Sequence, residues 1–118
     1  MADFRIVNVP DLLNQKITTY DEAGNIVPDD GSYQRQGAET QYVLAEFLRD
    51  KGLLLPGTDV TRRPDLVVMF SQLTEQGQAF ARFAVHKWTV STDRLPVGRE
   101  INASGLEKRW LKFNLPTA

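Results

Sequence analysis

Apolar and polar positions along this chain fall into short, distinct patterns. "FRIVNV" (4–9) sets Phe4 and Ile6 against polar or smaller neighbours, the alternation of a short strand. In "KITTYDEAGNIVP" (16–28), β-formers flank the turn-rich "DEAGN", which predicts a hairpin. "PDDGS" (28–32) then reads as a loop. The clearest helical pattern is "AETQYVLAEFLRDKG". Val43 with Phe47, and Leu44 with Leu48, repeat at i, i+4 and make one apolar stripe. The pattern predicts a helix over about 38–51, with Gly52 at its C-terminal cap and Pro56 preventing a restart.

Further on, "DLVVMFSQL" and "QAFARFAVHKWTV" are both rich in strand formers, and "TEQGQ" between them has hairpin-loop chemistry. This predicts an antiparallel pair of 66–73 with 79–91, the second strand covered on one face and partly covered on the other. Ser104 and Glu107 have capping-box spacing, and Leu106, Trp110 and Phe113 share a helical face. A short C-terminal helix is expected, docked by a largely buried Trp110. The expected fold class is α+β: a small antiparallel sheet with the 38–51 helix and the C-terminal helix packed on one face. Prolines at 10, 28, 56, 64, 96 and 116 punctuate the chain without dividing it, so 1–118 reads as a single domain.

Composition narrows the chemistry more than the fold. No cysteine occurs among the 118 residues, which excludes disulfides, thiolate metal sites and a cysteine nucleophile. With a single histidine, the usual zinc constellations lack ligands. Phosphate-loop, dinucleotide, EF-hand and zincin strings are missing, and "DEAGNIVPDDG" lacks calcium-loop spacing. No cofactor is expected. The start, "MADFRIVNVPDLL", has no basic region followed by an apolar run, and no apolar stretch approaches membrane-spanning length. Together with the missing cysteines, this points to the cytoplasm.

Charge changes the picture again. Residues 1–60 hold ten acids and five bases, whereas 61–118 hold five acids and nine bases. The bland explanation is that the halves face each other in the fold and cancel. The functional one is an electrostatic partner.

Three functional readings follow. A free imidazole titrates near neutrality, which suits a general base, so His86 is a candidate for that role, with Ser71, Ser91 and Asp93 as conceivable partners in a small hydrolase-like site. Its flanking sequence, "FARFAVHKWTV", reads better as a core strand. A nucleic-acid reading uses the basic C-terminal half, with Trp88 and Trp110 as stacking platforms. Against it stand the slightly acidic whole chain and the lack of any recognition motif. The reading favoured by the sequence is a small non-enzymatic protein-binding module: a stoichiometric inhibitor with the general character of bacterial immunity or antitoxin-type proteins. Its partner would be another protein, such as a basic nuclease toxin. The candidate contact residues are Asp21, Glu22, Asp29, Asp30, Tyr33 and Glu39, with Tyr20 as a further aromatic anchor. The plain alternative is that these carboxylates only solvate turns.

Overall fold

A computed structural model describes residues 3–16, 18–93 and 98–114, and of Asp93 the backbone alone. The fold is α+β. In chain order the elements are β1 (Arg5–Asn8), α1 (Val9–Leu13), β2 (Thr19–Tyr20), β3 (Ile26–Val27) and α2 (Ser32–Asp50). Then come β4 (Val67–Met69), a 3-10 turn (Phe70–Gln72), α3 (Glu75–Phe80), a π turn (Ala81–Val85), α4 (His86–Asp93) and α5 (Ser104–Phe113). The strands form two antiparallel ribbons, β1 with β4 and β2 with β3. The expected first strand is present over Arg5–Asn8, with Val9 already in α1, and the hairpin across 21–25 and the C-terminal helix are present as well. Ile17, in the first hairpin run, lies outside the described residues.

The main helix begins at Ser32, six residues before the expected start. Two features of "PDDGSYQRQG" hid its first turns. Asp29 and Asp30 carboxylates accept from the Gly31 and Ser32 backbone N–H groups, each at 2.9 Å, so the acidic loop is the helix's lead-in. Gly37 disfavours helix by propensity, yet a Cβ there would lie 2.7 Å from Leu12 Cδ1. The missing side chain lets α1 lie close on α2. At the other end, Gly52 takes the left-handed conformation (φ 69°), and Leu53 N–H closes onto Leu48 C=O at 2.9 Å. This is the expected glycine-capped terminus.

The predicted pairing of 66–73 with 79–91 is not formed. Val67–Met69 pairs instead with Arg5–Asn8, and 75–93 is helical throughout. Thr74, read from sequence as hairpin loop, is a helix N-cap. Its hydroxyl accepts from Gly77 N–H at 3.0 Å, and Glu75 stands in the first turn. The burial pattern gives the physical reason. Phe80, Ala81, Ala84, Val85 and Trp88 are buried, whereas Arg82, Phe83, His86 and Lys87 are exposed. That spacing is a helical stripe, and it explains why the strand alternation was imperfect.

The core gathers where this stripe meets α2. Leu44, Phe47 and Leu48 of α2 pack with Val7 and Val9 from the first ribbon and its exit, Leu66 and Val68 beside β4, Phe80, Ala84 and Trp88. Gln41, also buried, presents its side-chain oxygen to Asn8 N–H at 3.0 Å, meeting a strand donor that the ribbon leaves unpaired. On α5, Leu106 is fully buried, and a Cβ on Gly105 would stand 3.1 Å from the Trp88 ring. Trp110 is only partly buried, contrary to the sequence expectation. It sits edge-on to Phe80 at 5.2 Å and Phe47 at 6.3 Å, and stacked on Phe113 at 5.9 Å. The tryptophan that docks the last helix most tightly is Trp88.

Two stability outcomes follow. Trp88→Ala lowers unfolding stability by about 3–5 kcal/mol in a denaturant melt, the range for deleting a core aromatic, and Trp110→Ala costs about 2 kcal/mol. Equal losses at the two positions would contradict this packing. Gly77→Ala costs about 1–3 kcal/mol despite alanine's better helix propensity, because the new Cβ would lie 2.5 Å from the Leu53 carbonyl oxygen.

Candidate protein-binding surface

The β2–β3 ribbon packs chiefly on itself, and its apolar side chains remain in solvent. Its register opposes Tyr20 to Ile26 and Thr19 to Val27. Directly opposed residues share a face, so Tyr20 and Ile26 form one cross-strand pair. They are 64% and 70% exposed, high values for an aromatic and a branched aliphatic side chain standing together. Thr19 and Val27 turn to the other face, where Val27, Pro28, Asp29, Asp30, Ser32 and Tyr33 line a shallow recess of about 200 Å³. Tyr33 is exposed at its rim.

The candidate carboxylates divide into three groups. Asp21 and Glu22 occupy the ribbon's turn. Asp21 accepts from the Ala23 and Asn25 backbone N–H groups, each at 2.9 Å, and its own N–H reaches Asn25 C=O at 2.9 Å. Gly24, at φ 83°, supplies the left-handed residue that the turn requires. Glu22 makes no hydrogen bond or ion pair with another described residue. Asp29 and Asp30 stand at the start of α2, where both also serve the backbone. Asp29 further accepts from the buried Gln34 side chain at 2.6 Å. Glu39, by contrast, belongs elsewhere. It is tied to Arg62 at 2.6 Å, and the same guanidinium holds Glu46 at 2.7 Å and lies over the Tyr42 ring at 5.3 Å. Hydrogen bonds and charge from Arg62 hold the Glu46 carboxyl below its ordinary range, and the glutamates in turn raise the guanidinium's pKa.

That cluster joins the two oppositely charged halves of the chain, as the bland charge reading expected for these residues. Arg63 is likewise engaged, by Asp59 at 3.2 Å and Asp65 at 3.1 Å. Two arginines of the basic half are therefore already countered. Trp88, a candidate base-stacking residue, is buried. Arg94 lies outside the described residues.

His86 is exposed at the start of α4, not part of a core strand. It lines a groove with Arg82 and Thr89, and the Thr89 hydroxyl donates to Val85 C=O at 2.9 Å. Neither Ser71 nor Ser91 lines that groove. Ser71 donates to the Asp3 carboxylate, and Ser91 donates to Trp88 C=O at 3.3 Å. The Asp93 side chain lies outside the described residues. The hydrolase-like set considered from sequence is thus not brought together among the described side chains. Those side chains also hold no cluster of three or more metal-ligating groups, and no described helix is long and apolar enough to cross a membrane. Comparison with protein-family models, curated proteins and solved structures finds no match to this chain.

The exposed Tyr20–Ile26 pair and the local tying of Asp21, Asp29 and Asp30 were both missed by sequence reasoning. Alternation in "TTY" and "NIV", placed on a two-residue register, carried the signal for the first. Backbone hydrogen bonds from Asn25 and Ala23 hold Asp21 below the ordinary aspartate value of 3.8, and the Ser32 hydroxyl, with the Ser32 backbone N–H, does the same for Asp30. A depressed carboxyl stabilises the folded state above its unfolded pKa, and that contribution fades as pH falls through the folded value. In a carboxyl-carbon NMR titration, Asp21 and Asp30 therefore titrate below 3.8, and the turn and helix start loosen only in acid. Values at or above 3.8 would contradict the capping geometry.

Proposed function

We propose that this chain is a non-enzymatic protein-binding module, a stoichiometric inhibitor that engages a basic protein through the β2–β3 ribbon. The observation that carries this reading is the solvent-exposed Tyr20–Ile26 pair beside the acidic turn of Asp21 and Glu22. Paired exposed apolar side chains on a ribbon packed mainly on itself contribute little to the fold, and aromatic anchors of this kind dominate contact energies. The carboxylates nearby supply long-range attraction to a cationic surface and raise the association rate at low salt. Asp29, Asp30 and Tyr33, in the recess on the other face, extend the surface to the start of α2. Glu39 is left out of the contact because Arg62 already neutralises it. A basic nuclease toxin fits this chemistry, since carboxylates can occupy positions where such an enzyme receives phosphates. The general character of an immunity or antitoxin-type protein fits as well, as does action in the cytoplasm.

The test compares the unaltered chain with one carrying Ile26→Asp and Glu22→Lys, both on exposed positions that hold no core contact. Circular dichroism melts of the two coincide. In capture from the producing cells at low salt, the unaltered chain retains a cationic protein at equal stoichiometry, and added salt weakens the complex. The altered chain binds that protein at least about tenfold more weakly, the scale of losing a hot-spot contact. Retention of the same proteins by both chains, or of none by the unaltered one, overturns the proposal.

A further inference from the structure

A second concave surface lies away from the ribbon, between β1 and the π turn. Its volume is about 340 Å³, the lower end of the range for small-molecule sites. Phe4, Ile6, Phe70 and Val85 form its apolar lining. The Phe4 and Phe70 rings stack at 4.7 Å, although Phe4 is 52% exposed. Arg82 and His86 rise on the helical side and Arg5 on the strand side. Among the described residues the lining contains no carboxylate.

The charges are unevenly answered. Arg5 meets Asp11 at 3.7 Å. Asp3, the other acid near β1, is committed to Ser71 and to the Phe4 N–H. Arg82 makes no ion pair or hydrogen bond with any described residue, and its guanidinium lies 4.9 Å over the Phe70 ring. His86 likewise has no described partner. A guanidinium seated on an aromatic face keeps its N–H edge free and oriented, which suits bidentate recognition of a carboxylate.

The backbone supplies an independent observation. Ala81–Val85 is a π turn between two α-helical stretches, and it contributes Ala81, Arg82 and Val85 to the groove. Such turns are rare and gather at functional sites, because the wider turn re-aims side chains at the expense of regular hydrogen bonding. Here it places the exposed Arg82 at the groove, with the buried Ala81 and Val85 lining it and Ala84 left on the core side.

We propose that this groove binds a small amphiphilic carboxylate, its apolar tail against Phe4, Ile6 and Val85 and its carboxylate paired with Arg82. The volume corresponds to about eleven waters, which suits an acid with a short alkyl or aromatic tail. This site is separate from the proposed protein contact and stands or falls without it.

Octanoate is the probe, added to the full chain and followed by amide NMR shifts. The expected result is saturable shifts at Ile6, Phe70, Arg82 and Val85, with 1-octanol at the same concentration binding more weakly. Arg82→Gln, at an exposed position, leaves the spectrum of the folded protein otherwise intact and weakens octanoate about three- to tenfold, as expected for losing one partly solvated ion pair. Arg82→Lys retains part of the affinity. Shifts absent or confined to Tyr20 and Ile26, equal binding of octanol and octanoate, or unchanged affinity in Arg82→Gln would each overturn the proposal.

Discussion

The apolar stripe of α2 is the surface by which the other elements are placed. Leu44, Phe47 and Leu48 must leave water, and a lone helix cannot cover them. The β1–β4 ribbon covers part of that stripe, and the helical run from Thr74 to Asp93 brings Phe80 and Trp88 to the same core. α5 then closes the aromatic end through Leu106, packed where Gly105 gives room beside Trp88. Because the contacts are mutual, glycines at 37, 77 and 105 matter for what they omit. Each allows an approach that a methyl group would block or push apart.

Where the chain is not held by that core, polar groups hold it. Asp21 organises one turn, and Asp29 and Asp30 organise the start of α2, so these acids shape the backbone before they offer charge to anything else. Arg62 performs a similar service between distant segments, linking Glu39 and Glu46 to the chain before β4. Solvent-exposed pairs of this kind add modest stability, so their main effect is on register and local potential. Removing Glu39 and the two countered arginines from the free charge leaves a smaller acidic surface around the ribbon and a cationic groove near Arg82. These two surfaces differ in chemistry, which is why they are assigned different ligands.

Much of this was legible in the one-dimensional pattern. The i, i+4 repeats of Val43, Leu44, Phe47 and Leu48 specified the main helix, Gly52 its end, and "DEAGN" the ribbon's turn, because each signal is local. The Leu106, Trp110 and Phe113 spacing likewise specified α5. The lack of cysteine and the single histidine removed whole classes of chemistry without any structure. Asp21, Glu22, Asp29 and Asp30 were correctly read as lying in turn and loop segments and Glu39 on the helix, but only hydrogen-bond geometry distinguished the acids tied to the backbone from Glu22.

Tertiary structure decided the rest. "AFARFAVHKWTV" carries β-branched and aromatic residues that suit a strand, and Ala, Arg and Lys that suit a helix, so local propensity was divided. The choice fell to packing, since only a helix sets Phe80, Ala84 and Trp88 together against α2 while Arg82 and His86 face out. Partner choice in the ribbon was equally non-local: Val67–Met69 pairs with a strand some sixty residues earlier, beyond the reach of any turn signal. Burial of Trp88 in preference to Trp110 follows from the same placement. The sequence by itself determined the local elements whose signals span a few residues. Which faces were covered, and so which side chains remained free to bind, was settled by the three-dimensional packing, because burial is a property of neighbours far apart in the chain.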